Sequence, residues 1–405
     1  MATTQTPIPI YSQKETFYAP HIELYIRGKK LSSNVIDDVL QVTYRDSINE
    51  IDSFSIDLNN WDATKRAFKF APPLKEFAGV FDPGAQVELW MGYMKNMRMM
   101  MRGQVTSLEP TFSESAASTL NVRGLNQLHQ FRTERHTKSW LDGTMTDTDI
   151  ATQLCGLPVQ KGQAGLGIAI QTNPAPNEMP DEFVYMINQY DIVFLLERAR
   201  RHGYEVYLKD GKDKPVLYFG LSESKANAPV YRLEWGKSLV SFKPTLGTAK
   251  QVSTVEVRGW DRKSNSAIDV TYSLKDLWKA QNKSSTEIAR LSLIADAYGN
   301  RTEVVTDRPV HNRKEAQQLA RAILEDRSKK LIEASGVTVG LPDLRSGVAL
   351  EIVGFGAKTD NKEQIQGAGS DFDGEYFVTE TTHTIGGSGY RTEFKARREG
   401  PLPTQ

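Results

Sequence analysis

Apolar and polar residues alternate along several short stretches of the chain, and a period of two predicts strands. A first group lies at 21–26, 38–44 and 53–58, rich in Val, Ile, Tyr and Phe, and continues at 86–90, 97–108 and 118–122. A helical or turn-rich piece is expected at 62–80, broken by Pro72-Pro73, before Asp82-Pro83-Gly84 turns the chain into the next strand. From about 136 to 231 the pattern becomes mixed α/β. Asp147 is the expected cap of a helix at 148–155, and Asp191 that of a helix ending at His202 and stopped by Gly203. Between them lie a loop at 156–180 and a strand at 183–187; strands at 204–208 and 216–219 then form a hairpin around Asp210-Gly211. Strands return at 238–242, 253–258 and 266–272, with helices at 273–279 and 285–298. The clearest helix starts at Asn312, paired with Glu315 in a capping-box pattern, and runs to about Glu333 before Gly336. Its Ala316, Leu319, Ala320, Ile323, Leu324 and Leu331 share one face, which Arg327 interrupts and must leave by snorkelling or by finding a partner. Strands at 349–353, 376–382 and 391–396 close the chain around a Gly/Asp-rich insertion at 354–374.

The two β-rich regions share landmarks in one order, the signature of a repeat. Val39-Leu40-Gln41-Val42 parallels Leu239-Val240-Ser241-Phe242, and Ile56-Asp57-Leu58 leads to Trp61-Asp62 as Val255-Glu256-Val257 leads to Trp260-Asp261. A helical segment follows in both. Gly84 to Leu89 then matches Gly347 to Ile352, and Val105-Thr106-Ser107 matches Val378-Thr379-Glu380. Shared turn chemistry could produce single matches; the common order favours duplication. The expectation is two superposable barrels in which Trp61 meets Trp260, Glu88 meets Glu351 and Thr106 meets Thr379.

Composition narrows the class. Of 405 residues, 39% are hydrophobic and 25% charged, with 50 Lys+Arg against 50 Asp+Glu, which is globular and argues against bulk nucleic-acid binding. One cysteine, Cys155, excludes an internal disulfide framework. The Thr/Gln/Pro-rich start has no basic flank and no apolar run, so no secretory signal is expected, and the run 192–196 is too short to span a bilayer. His129 and His136 could share a helix face, yet no acidic or cysteine partner stands at ligand spacing. The glycines at 162, 165 and 167 are in the wrong order for a dinucleotide loop, and Asp371-Phe372-Asp373-Gly374 lacks the distal Glu of a calcium loop. Asp37-Asp38 would point apart on a strand. The methionines 91, 94, 97, 99, 100 and 101 fit either a gripping hairpin or a barrel core. No catalytic, cofactor-binding or metal site is assigned, and no cofactor.

The segment from Val255 to Asp261 resembles the phage late control gene D family and the hub part of VgrG proteins. So do Gly340-Leu341-Pro342-Asp343-Leu344, Ser346-Gly347, the stretch Phe372 to Glu380, His383 and Tyr390-Arg391-Thr392-Glu393-Phe394. The central run Asn188, Asp191, Phe194 to Ala199 and Gly203-Tyr204-Glu205 is similar as well. The resemblance implies a mainly β, α+β fold of two tail-tube-like β-barrels, each with a covering helix, around a small α/β domain. Its implied layout is an N-terminal extension at 1–20, barrels at 21–135 and 236–399, the α/β domain at 136–235 and a tail at 400–405 pointing to a spike. It implies a non-enzymatic baseplate hub of a contractile injection machine, a homotrimer adapting a hexameric tail tube to a trimeric spike. Baseplate wedge or LysM-type proteins are the other implied partners, with synthesis in the bacterial cytoplasm and assembly into the tail or injection particle. The spike is either a separate protein or a continuation of this sequence. A β-rich adhesin or receptor-binding module is the alternative, with a peptidoglycan-active enzyme behind it, which would need an opposed carboxylate pair that the sequence does not display.

Overall fold

A computed structural model describes residues 8–9, 19–70, 79–94, 96–114, 117–132, 134–141, 143–176, 178–181, 183–209, 215–222, 229–283, 285–299, 301–355 and 372–399. The tail at 400–405, most of the N-terminal extension, the middle of the 62–80 segment, the turn at 210–211 and most of the 354–374 insertion lie outside these residues.

The first β-unit comprises β1 (Pro20–Ile26), β2 (Val39–Ser47), β3 (Ser53–Asn59), β4 (Gln86–Tyr93), β5 (Asn96–Thr111) and β6 (Thr119–Asn126). They pair in the order β2-β3-β6-β5-β4-β1, every neighbour antiparallel. Alternation does the work the sequence predicts: Phe54, Ile56 and Leu58 of β3 point inward to meet Leu24, Val42, Tyr44, Leu89 and Val122 in one core. Met91, Met100 and Met101 are buried in the base of the β4–β5 hairpin, while Met94 at its tip is exposed. Within the 62–80 segment the chain forms a small hairpin, Trp61–Asp62 against Ala67–Phe68.

The middle domain holds β7 (His136–Trp140), α1 (Asp147–Gly156), β8 (Ala169–Asn173), β9 (Val184–Gln189), α2 (Asp191–His202), β10 (Glu205–Lys209) and β11 (Val216–Gly220). Both expected caps shift by one residue. Thr146 is the N-cap of α1, in a reciprocal capping box with Asp149. Tyr190 occupies the N-cap position of α2 without a side-chain cap. Asp147 and Asp191, released from capping, become buried side-chain partners instead: Asp147 takes an ion pair with Arg198 at 2.5 Å and a hydrogen bond with His202 at 2.7 Å, and Asp191 hydrogen-bonds His136 at 2.8 Å. Gly203 ends α2 in the left-handed region, at φ +66°.

The second β-unit is interrupted. After β12 (Tyr231–Glu234) and β13 (Leu239–Leu246), the chain builds a separate body from β14 (Thr254–Asp261), β15 (Ser266–Ser273), α3 (Leu274–Ala280), α4 (Ser285–Tyr298), β16 (Thr302–Val305) and α5 (Arg313–Lys329). It then returns with β17 (Ile332–Val339), β18 (Ala349–Val353), β19 (Gly374–Gly386) and β20 (Gly389–Arg398). The strand order β13-β17-β20-β19-β18-β12 repeats that of the first unit, with one difference: β12 joins β18 in parallel where β1 joins β4 antiparallel.

The repeat extends to register. Leu40 and Val240 are the unpaired residues of matching bulges, in the β2–β3 and β13–β17 ladders. Thr106 and Thr379 are likewise unpaired, and each directs its hydroxyl to the carbonyl of the residue opposite, Arg123 at 3.4 Å and Lys395 at 3.2 Å. Gly84 and Gly347, at φ +87° and +86°, donate to Val105 and Val378 at 2.8 Å each. Counting on from these glycines makes Glu88 and Glu351 equivalent.

Two expectations are corrected. The counterpart of β3 is β17, not the strand leading to Trp260, because β14 belongs to the separate sheet β15-β14-β16. The Trp-Asp match is local: Trp61 pairs Phe68 and Trp260 pairs Ala267, and in both hairpins the aspartate accepts backbone N–H groups two and three residues on. Second, α5 covers β14 and β15 of the inserted body rather than a barrel sheet, and its Leu319, Ala320 and Leu324 join Val255, Val257, Ile268 and Trp278. Half of its expected capping box forms: Asn312 accepts from the Glu315 N–H, while the Glu315 carboxylate accepts from the His311 N–H at 2.8 Å, and Arg327 finds a bidentate partner in Glu303.

Leu319→Asp should therefore remove hydrogen-exchange protection from Thr254–Asp261 while leaving Ile332–Val339 protected, since the buried charge costs several kcal/mol within the inserted core. The same change at exposed Gln317 should alter neither.

Candidate functional site

The two β-units share one sheet because β19 is longer than its first partner. Its N-terminal end pairs with β18, and beyond the Thr379 bulge the same edge pairs with β2 of the first unit, from Glu380 opposite Ser47 to Gly386 opposite Gln41. Along its other edge β19 pairs with β20. This seam buries polar groups that the alternation rule would not place in a core. Asp46, Thr381, His383 and Thr392 are each 2% exposed or less.

Arg345, on the loop between β17 and β18, neutralises the seam. Its guanidinium meets Asp46 at 2.7 Å, donates to the Tyr44 hydroxyl at 2.6 Å and to the Met100 carbonyl at 2.9 Å, and lies 4.9 Å from the Tyr44 ring centroid. Asp46 also accepts from the Ser346 N–H at 3.2 Å and from the Thr381 hydroxyl. The carboxylate is thus met by charge and by hydrogen bonds together, the condition for a tolerable buried ion.

His383 continues the network. Its Nε2 lies 3.0 Å from the Leu344 carbonyl, which can only accept, so Nε2 carries the proton. Nδ1 is then the acceptor for the Tyr390 hydroxyl at 2.9 Å, with Thr392 at 3.1 Å. Burial pushes this imidazole down to about 4, which keeps it neutral. Asp52, beside the same seam, is pushed up to about 7 by burial and then by the charge of Asp46. Tyr390 belongs to the second unit yet packs in the core of the first, 5.7 Å from Tyr93, and Tyr93 donates to the Gly340 carbonyl at 2.9 Å. A Cβ on Gly340 would lie 2.0 Å from the Tyr390 ring, so only glycine fits there.

The middle domain is fastened to the same seam. Asn49, in the left-handed region at φ +67°, exchanges hydrogen bonds with Val206, its N–H donating to the Val206 carbonyl and its Oδ1 accepting from the Val206 N–H, both at 3.0 Å. Glu205 pairs with Arg397 of β20, and Ile48, Tyr207, Tyr218 and Phe377 form a small core where three bodies meet. Arg201 of α2 reaches Glu315 of α5 at 2.7 Å. Chemically, the arrangement keeps its acid–base groups His383 and Asp46 buried; what it can do is hold two β-units in one fixed relation.

Of the residues weighed from sequence, His129 and His136 lie on different elements, a 3-10 turn and β7, and do not share a helix face. Gly162 to Gly167 runs in loop. Asp371 lies outside the described residues. Among the described residues no group of three or more His, Cys, Asp or Glu is placed to hold a metal. His383, Tyr390 and Leu344 enter the sequence reading only as part of the resemblance and not as a network, and Arg345, Asp46 and Asp52 are missed. The one available signal is a charged or polar residue at an inward position of an alternating strand, Asp46 in step with Val42 and Tyr44.

The chain belongs to the family described as the Alg8 N-terminal domain, whose model matches residues 19–387. No curated protein matches it in sequence. Its fold is shared with a tail protein of Neisseria meningitidis MC58, at a TM-score of 0.63 and 14% identity over 95% of this chain and 98% of that one. A 43 kDa tail protein of prophage MuSo2 from Shewanella oneidensis gives 0.61 and 14% over 94% and 98%. An Escherichia coli component of the type VI secretion system, described as structurally similar to bacteriophage T4 tail proteins, gives 0.55 and 13% over 94% and 79%.

Two measurements examine the seam. Arg345→Met should destabilise the chain by roughly 3–5 kcal/mol in urea unfolding, because Asp46 stays buried without its cation, and adding Asp46→Asn should recover most of that loss. The second is a pH series. Between pH 4 and 6.5 the folded chain keeps a proton on Asp52 that the unfolded chain has released, and lacks one on His383 that the unfolded chain carries. The first makes stability fall with rising pH and the second makes it rise, so they oppose. Asp52→Asn removes the falling part, and its melting midpoint should climb relative to the parent as pH goes from 4 to 7.

Proposed function

We propose that this chain is a structural hub subunit of the baseplate in a contractile, phage-tail-like injection machine, of the late control gene D and VgrG hub type. Three copies supply six β-units in a ring, docking a hexameric tail tube on one side and a trimeric spike on the other. The single observation that carries the reading is the repeat: two β-units with one strand order and one bulge pattern, fused by a continuous sheet. A subunit with two near-equivalent interfaces is what a threefold object needs to present sixfold sites. The fold shared with tail and type VI secretion proteins supports the same reading.

The activity is geometric. A hub between a contracting tail and a spike carries load, and the fastening of the middle domain to the seam and of the inserted body to the middle domain leaves few loose joints in that path. Among the described residues no helix is long and apolar enough to cross a membrane.

Light scattering of the purified chain, alone and with its tube and spike proteins, tests the proposal. A trimer, or a trimer formed on adding spike, with binding to tube, is the expected result. A stable folded monomer that binds neither tube nor spike but binds a cell-surface glycan would favour the adhesin reading and overturn this one.

A further inference from the structure

The repeat leaves two strand edges open, and each is the counterpart of an edge used in the internal seam. In that seam β2 of the first unit pairs with the C-terminal half of β19. The counterpart of β2 is β13, whose described pairing is with β17 alone. The counterpart of that half of β19 is Ser107 to Thr111 of β5, which pairs with β6 on one side and, among the described residues, with no strand on the other. Repeating the step from the first unit to the second would carry the β13 edge of one copy to the β5 edge of the next, a head-to-tail contact.

The register of that contact follows from the bulges. Thr381 opposite Asp46, His383 opposite Tyr44 and Ile385 opposite Val42 become Leu108 opposite Leu246, Pro110 opposite Pro244 and Phe112 opposite Phe242. In an antiparallel ladder a residue's N–H and C=O address the same neighbour, and successive residues alternate. Gly247 donates to the Leu331 carbonyl at 2.9 Å, so Lys243 and Thr245 address β17 while Phe242, Pro244 and Leu246 address the open edge. Asn126 donates to Asp52 and Asn60 to Ser118, both at 2.9 Å, so Leu120 and Val122 address β3 and Asn121 addresses Glu109. Leu108, Pro110 and Phe112 therefore face the other open edge. Both edges carry proline at the centre of the shared register, where neither residue has an N–H to give.

Resting on the hub reading, we propose that the β13 edge of one copy meets the Ser107–Thr111 edge of the next in this register, held by side chains rather than by a continued ladder. Where the internal seam buries Asp46 and Thr381, the contact between copies brings together Leu246 and Leu108, and exposed Phe112 and Leu246 (63% and 50%) gain cover. Pro110 and Pro244 keep each edge from templating an unlimited sheet before the ring closes.

The test uses the full chain. Glu109→Cys with Thr245→Cys places thiols at directly opposed, exposed positions of a non-hydrogen-bonded pair, while Cys155 is buried and its thiol is pushed up to about 12 by burial. After the assembled mass is measured, mild oxidation should give covalent dimers and trimers on a non-reducing gel. Each single variant, and the misregistered pair Thr106→Cys with Thr245→Cys, should stay monomeric there. Assemblies of trimer mass that cross-link through the misregistered pair, or through neither, overturn the edge proposal and leave the hub reading standing. A chain that never assembles with tube or spike overturns both. As an independent readout, Pro110→Val with Pro244→Val should increase self-association beyond the trimer, and unchanged association would refute the guarding role.

Discussion

Arg345 neutralises Asp46, a carboxylate buried where the two β-units join, and the continuity of the sheet depends on that ion pair. Asp46 on β2 stands opposite Thr381 on β19, away from water. Such a carboxylate would cost several kcal/mol if left alone, and the pair with Arg345 at 2.7 Å, with four further hydrogen bonds around it, offsets this without adding a large surplus. Its main effect is on specificity. A slip of β19 by one residue would turn its side chains to the other face and put Glu380 or Thr382 opposite Asp46 in place of Thr381, breaking the Thr381 hydroxyl's contact with the carboxylate.

From this pair the other contacts radiate in short steps. Tyr44, which receives the guanidinium, lies in the first core; His383 and Tyr390 carry hydrogen bonds into the second unit while the Tyr390 ring fills the first. Two residues past Asp46 the chain reaches Ile48 and Asn49, which hold Tyr207 and Val206 of the middle domain. From there Arg201 reaches the inserted body through Glu315. A load applied to one body meets packed side chains and charge-assisted bonds at each boundary.

The two β-units keep one architecture while exchanging residues, and packing explains how. In the first, Phe54 sits opposite Gly124 and Ile56 opposite Val122; the equivalent positions of the second hold Ala334 opposite Ala396 and Gly336 opposite Phe394. A Cβ on Gly124 would lie 2.2 Å from the Phe54 ring, and one on Gly336 would lie 2.4 Å from that of Phe394. What the two units share is the backbone pairing; the side chains that fill the space across a pair of strands differ in identity and in size. Side-by-side reading of the two halves therefore finds the bulges and turns, whose backbone chemistry persists, and loses the core.

Local chemistry was legible in the sequence: the alternating strands, the Asn312 cap, the Gly203 stop, and the matching positions of Leu40 with Val240, Glu88 with Glu351 and Thr106 with Thr379. Each follows from a residue's own backbone preference or from a period of two, both readable within a few positions. The pairing of strands was not. The Trp-Asp hairpins attracted a match because an Asp-led turn looks the same wherever it stands, whereas β17, some eighty residues after β13, was the true partner of the repeat. Helix α5 showed a clear apolar stripe, yet a stripe does not say which sheet it covers. Asp46, Asp52 and Arg345 come together from distant parts of the chain, and no spacing rule joins them. Only the tertiary structure decided that an aspartate in a strand would be sealed against an arginine from a loop, because burial and partner choice are set by contacts that the chain makes after it has closed on itself.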